Sequence, residues 1–401
     1  HTLAELKAIN DALSGQLTLA DYTVALSGTS AQVAAALAGT FAAAYTGTAS
    51  TSNAHTLAQL KTINNGTTGT ITLNDVTVAL SGSTADVKAA LDGTFAAGYT
   101  GNVTLSDADG TGIAAADIST IAGDTSGTVT VSNNINITGT SAAIATAVGN
   151  VDTFSGTPTA TLGDAHTLTE LVTINNAISG SITLNSSSVA LSGSSTNVAA
   201  ALNGLSNYSG TITLSDAATV AQMTTIDSAI NTSPSYSLND NSGNISGAST
   251  ALLNGATNIT ATDDGVGGNT FEFDALTSTT NTNTVTVTGG TDVDVVELST
   301  ALTQSGKAAI DLSSGDTSDD RVIFNTESSN TSWVTYDGSG SRASGPSSFT
   351  FNKITNFEAG DNKDAIGIFY GGTNGDGGNA ITFGAFREVT DLTASNRLRD
   401  G

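Results

Sequence analysis

HTLAELKAINDALSGQLTLADYTVALSG, residues 1–28, decides how this chain is read, because it returns as HTLAQLKTINNGTTGTITLNDVTVALSG from His55 and as HTLTELVTINNAISGSITLNSSSVALSG from His166. Two looser copies carry TVTVSNNINITG after Ile118 and Ile121, and TVAQMTTIDSAI from Thr219. With Ile9, Ile63, Ile121, Ile174 and Ile226 taken as equivalent, the spacings are 54, 58, 53 and 52 residues. Five units follow, each of two halves of about 26 residues, a length typical of stacked repeats.

Each first half opens on a helix-start signature. Thr2 with Glu5, Thr56 with Gln59, Thr167 with Glu170 and Thr219 with Gln222 stand at capping-box distance. Leu3, Leu6 and Ile9 then place apolar groups on one side of a short helix, which the glycines near Gly15, Gly69 and Gly180 are expected to end. Alternation follows, with Ile71 and Leu73 facing one way and Thr70 and Thr72 the other. In the second half, Val33, Leu37, Phe41 and Tyr45 recur four apart, and so do Val87, Leu91, Phe95 and Tyr99, which predicts a second helix carrying an aromatic core residue.

No half offers enough large side chains to close a core alone. The expected fold is therefore a β/α repeat solenoid over residues 1–265, with parallel strands on one wall and short helices on the other, in about ten helix-strand coils. Beyond Gly265 the pattern changes to strand-like stretches such as FEF from Phe271, TVTVTGG from Thr284, DRVIFN from Asp320 and AITFGAF from Ala380. Residues 266–401 are expected to form a separate all-β domain, a sandwich or a β-roll.

Composition restricts function. Against 36 Asp and Glu stand only 11 Lys and Arg, a net charge of −25. Such a chain repels phosphate backbones and anionic lipid, which argues against nucleic-acid binding. No apolar run approaches the roughly 20 residues that a membrane span needs, so membrane insertion is not expected. There is no cysteine. Together with the Thr, Ser and Gly content, that points to an extracellular or cell-surface location without disulfide chemistry.

The candidate chemical groups are few. His1, His55 and His166 occupy one repeat position, and Ala218 replaces them in the last copy, so catalysis is not expected there. Asp107 with Asp109, Asp263 with Asp264, Asp316 with Asp319 and Asp320, and Asp361 with Asp364 lie in Gly- or Ser-containing stretches. Those beyond residue 262 are candidate oxygen ligands for a structural Ca²⁺ ion, although none matches an EF-hand loop.

The units with SGTITL, TVALSG and LSDA resemble the repeat arrays of very large surface and secreted proteins of marine bacteria and cyanobacteria. KITNFEAGDNKDAIGIF, from Lys353 to Phe369, is similar to the segment after the calcium-binding repeats of type I secreted, RTX-like proteins, without their glycine-rich nonapeptides. The resemblance implies type I export, calcium-rich surroundings and a role as a surface layer, fibre or adhesin.

The function expected is thus structural, a subunit of an extracellular filament or surface layer. An adhesin with a repeat stalk and a glycan- or cell-binding terminal domain is the alternative, and a polysaccharide-acting enzyme a third. HTLAELKAI stands in full register with the interior copies, so either upstream residues precede it or another molecule is expected to cover that end. The expected partner is accordingly another copy of the chain, docking head to tail on Leu3, Leu6, Leu17 and Leu19.

Overall fold

The computed structural model describes residues 1–265 and, after them, 268–273, 276, 284–290, 294–298, 307–311, 320–327, 335–336, 342–344, 353–355 and 365–371. The fold is α/β, with eleven helices and several small, mostly parallel sheets of two to five strands among these residues. The chain divides into two compact units: His1–Leu191 with Ala200–Thr211 and Ala229–Thr232, and Ser192–Ala199 with Ile212–Ser228 and Ser233–Gly401.

Helices begin where the capping residues stand. Leu3–Ala12, Leu57–Gly66 and Leu168–Ala177 each follow a threonine that accepts the N–H of the third helical residue, whose Glu or Gln side chain accepts the threonine N–H in return. Thr219 and Gln222 repeat the exchange before Val220–Ala229. The apolar stripe turns inward: Leu6, Leu60 and Leu171 in the first unit, and Met223 in the second, are fully buried. These helices end at Ala12, Gly66 and Ala177, ahead of the glycines expected to stop them.

The second helices are shorter than the four-residue spacing predicts. Ser30–Leu37 and Thr84–Leu91 stop before the aromatic residues. Phe41 instead bridges Leu17, and Phe95 bridges Ile71, each in a parallel pairing. Tyr45 and Tyr99 are buried in the loops that follow. Gly39 and Gly93 sit just past these helices, where glycine is a poor continuer. The four-residue spacing thus runs across a helix end.

The expected solenoid with an all-β terminal domain is not the fold observed. In place of a continuous strand wall, the strands of the first unit fall into separate small sheets. Leu26–Gly28, Ala49–Thr51 and Ile71–Thr72 make one; Leu80–Gly82, Val103–Leu105, Val129–Val131 and Thr153–Phe154 another; Gly112–Ala114, Asn136–Gly139, Thr159–Leu162 and Ile182–Thr183 a third. The physical reason is length. Strands of two to four residues, closed off by Gly, Ser and Thr turns, offer few ladder bonds, and pairing beyond a sheet edge shrinks to single bridges such as Ile71 with Phe95.

Beyond residue 265 parallel pairing continues among the described residues. Ser237–Asn241, Asn258–Thr262, Thr284–Thr288, Ala308–Asp311 and Lys353–Thr355 form one five-stranded parallel sheet whose strands come from both sides of Gly265. Thr270–Glu272, Val295–Leu298, Arg321–Glu327 and Ala365–Gly371 form a second parallel sheet. Among the described residues, Thr335–Tyr336 and Arg342–Ser344 pair antiparallel. AITFGAF lies outside the described residues.

Candidate functional site

The repeated histidines and tyrosines, far apart in sequence, meet in space. His1 Nε2 lies 3.1 Å from the Tyr45 hydroxyl, His55 Nε2 3.1 Å from that of Tyr99, and His166 Nε2 2.9 Å from that of Tyr208. Each tyrosine hydroxyl in turn donates to a valine carbonyl: Val24 at 2.6 Å, Val78 at 2.5 Å and Val189 at 2.6 Å. A hydroxyl has one proton, so the oxygen that gives it to a carbonyl is left to accept from the imidazole. The histidine proton therefore sits on Nε2.

Glycine makes the close approach possible. A Cβ on Gly101 would collide with the Val78 carbonyl and the Tyr99 ring, and Gly47 and Gly210 are confined in the same way by Val24 with Tyr45 and by Val189 with Tyr208. The residue after each aromatic is thus Thr or Ser followed by an obligatory glycine.

The rings at His55 and His166 are buried, 4 % and 2 % exposed, whereas His1 is exposed. Nδ1 of both buried rings has no hydrogen-bond partner. Burial holds both rings below the ordinary histidine range; Asp75 near His55, and Glu170 and Asp164 near His166, oppose that shift without overcoming it. Burial likewise pushes the Tyr208 hydroxyl up to about 12 and raises that of Tyr99.

A second recurring contact uses the acids and amides of the turns. The N–H of Ser30 donates to Asn53 Oδ1 at 2.7 Å and that of Ser141 to Asp164 Oδ1 at 2.7 Å, each 23 residues along. Thr84 makes the same contact with Asp107. In the second unit the pairs are Ser195 with Asp216 at 2.6 Å and Val220 with Asp240 at 2.9 Å. Each donor is the first residue of a helix, so a side chain 20 to 23 residues further along satisfies an N–H the helix itself leaves open. Beside these, the Ser30, Ser141 and Ser195 hydroxyls donate to Gln59, Glu170 and Gln222 at 2.9, 2.9 and 3.0 Å.

Among the candidate calcium ligands, Asp263, Asp264 and Asp320 are described. Asp263 is half-buried and accepts from the Gly265 N–H at 2.8 Å and from Asn269 Nδ2 at 2.5 Å. The N–H of Asp264 lies 3.4 Å from Asn269 Oδ1. Asp320 is buried and accepts the Asp294 N–H at 2.8 Å. Asp294, absent from the sequence-based set, is fully buried, and its oxygens accept the N–H groups of Asn269 and Gly290. Desolvation raises its carboxyl above the usual range. Among the described residues no three His, Cys, Asp or Glu side chains gather as a metal site. Asp316, Asp319, Asp361 and Asp364 lie outside the described residues.

Of the four candidate assembly residues, Leu6 is fully buried in the fold. Leu3, Leu17 and Leu19 are half-buried and pack on the same core cluster. The exposed large apolar side chains of that repeat are Ile9, at 36 %, and Leu13, at 51 %.

The turn acids and the His–Tyr pairs share a sequence signal that spacing analysis of each residue alone does not use: donor and acceptor types recur in the same phase. No protein-family model matches the chain, and no curated protein matches it either.

Proposed function

We propose that this chain is a structural protein of the cell exterior, a subunit of an extracellular filament or surface layer that assembles head to tail, and not a catalyst. The observation that carries this reading is where the chemically capable side chains are spent. Two of the three histidines are buried against tyrosines, and the turn acids accept backbone N–H groups 21 to 23 residues earlier in the chain. A catalytic base needs a free lone pair within reach of a substrate in a cleft; these groups tie distant parts of a repeat together instead.

These bonds are also directional. The helix-start N–H always lies earlier in the chain than the side chain that accepts it. A contact between two copies that continued this pattern would join unlike faces, and an unlike-face contact that does not close on itself propagates as a filament. The acidic surface, the absence of cysteine and the likeness of residues 353–369 to type I secreted proteins support an exterior setting.

Sedimentation velocity and electron microscopy of the purified chain test the proposal. Concentration-dependent polymers are expected, and Ile9→Lys with Leu13→Lys, both at exposed positions, should suppress them. A parent that stays monomeric at every concentration, or a double variant that polymerises as readily as the parent, overturns the head-to-tail reading.

A further inference from the structure

We propose that His55 and His166, each bonded through Nε2 to a buried tyrosine, are acid-sensitive latches that fasten the opening of a repeat to its own far end when neutral and release it when protonated. Each latch spans a long stretch of chain, 44 residues from His55 to Tyr99 and 42 from His166 to Tyr208.

What sets the pH response is which atom has a proton and which has a partner. The valine carbonyls take the tyrosine protons, so the tyrosine oxygens take the Nε2 protons, and the neutral ring keeps its lone pair on Nδ1. An added proton has only Nδ1 to go to. There it would create a buried N–H donor without an acceptor on a ring that has become a cation, and both penalties act on the folded state alone.

The charged and titratable groups facing each ring do not remove this penalty. Tyr99 and Asp75 face His55; the Asp75 Oδ1 is already taken by the Thr77 N–H at 2.8 Å and hydroxyl at 2.7 Å. Tyr208, Glu170 and Asp164 face His166. Asp164 Oδ1 is taken by the Ser141 N–H at 2.7 Å, and Glu170 Oε2 by the Thr167 N–H at 2.8 Å and the Ser141 hydroxyl at 2.9 Å. None of them bonds Nδ1. Their attraction for a protonated ring is outweighed by burial, which keeps both rings neutral to lower pH than a free histidine.

A folded-state value below the unfolded one, about 6.5, means that the unfolded chain binds more protons as the pH falls past that point. Stability is then lost downward from about pH 6.5, with at most two protons taken up through the latches. The direction suits a device set by acidification of the surroundings, independent of whether the protein polymerises.

The chain has three histidines in all, which makes the test tractable. In the ¹⁵N-histidine-labelled full-length protein, two rings should be in the Nε2–H form at pH 7.5 and titrate below the third, His1. The near-UV circular dichroism of the packed tyrosines should fall as they do. Rings carrying the proton on Nδ1, or three rings that titrate together near pH 6.5, overturn the proposal. A second arm uses His55→Gln with His166→Gln, since a glutamine amide can donate to the tyrosine oxygen but does not titrate. The melting temperature of the parent should drop by several degrees more between pH 7 and pH 5 than that of the variant. Equal drops would assign the acid response to the carboxylates and sink the latch. Should the double variant not fold, the NMR titration of the parent still decides.

Discussion

The carboxylate of Asp107 caps a helix 23 residues behind it: both of its oxygens accept the Thr84 N–H, at 3.1 and 3.0 Å, and Oδ2 also accepts the Thr84 hydroxyl at 2.5 Å. Asp107 is itself mostly buried. Its replacement by Ala strands two donors at once, and leaving a buried donor unsatisfied costs about 1–3 kcal/mol. Asp107→Ala should accordingly lower the urea midpoint clearly, and Asp107→Asn by less, because one acceptor oxygen remains. Equal midpoints for parent and Asp107→Ala would show that the contact contributes nothing.

Leu60 offers a harsher perturbation. It is fully buried among Leu80, Val87 and Leu91 in one apolar cluster. Leu60→Asp places a charge inside that apolar cluster, and the expected loss is several kcal/mol, at the upper end of what single substitutions do. Chemical denaturation measures it, and a variant that unfolds with the parent would refute the inward orientation of this helix.

Gly101 is a test of the tyrosine–carbonyl contact. Ala at this position drives a methyl group into the Val78 carbonyl that the Tyr99 hydroxyl uses. Gly101→Ala should destabilise the protein and alter the near-UV tyrosine signal, while Gly98→Ala three residues earlier, where a methyl group meets nothing, should leave both unchanged.

Alkaline pH probes the same contact from the other side. A Tyr208 hydroxyl held at about 12 when folded, against an ordinary value near 10, binds its proton more tightly in the folded chain. That stabilisation is fully present below pH 10 and is lost as the pH rises from there to about 12. Spectrophotometric titration should show a late tyrosine fraction, absent in urea; a single transition near pH 10 in the folded protein would contradict the buried bond.

What the sequence made legible was mostly local. Thr2 with Glu5 and its three counterparts announced helix starts, because a capping box is written within four residues. Strand sense was not legible after Gly265. Val285 and Val287 alternate with Thr284, Thr286 and Thr288, and one buried face gives that pattern whether the neighbouring strand runs parallel or antiparallel. The second helices misled for a related reason, since Leu37 and Phe41 keep a helical spacing across a chain that has already left the helix. Of the site, the histidine position was visible as a repeated letter. Its partner was not, because nothing in a stretch of 44 residues states that its two ends touch.

The offset bonds also bear on how such a gene can change length. Ser30, Thr84, Ser141 and Ser195 all look ahead by 21 to 23 residues for their acceptor, and the histidines by 42 to 44. Recombination between near-identical copies that removes or adds one whole unit leaves every such donor facing an acceptor of the same kind. An exchange out of phase by half a unit brings the wrong partners opposite one another. The permitted lengths are therefore discrete, and the tolerance for slippage is a property of the bonding pattern before selection on any function begins.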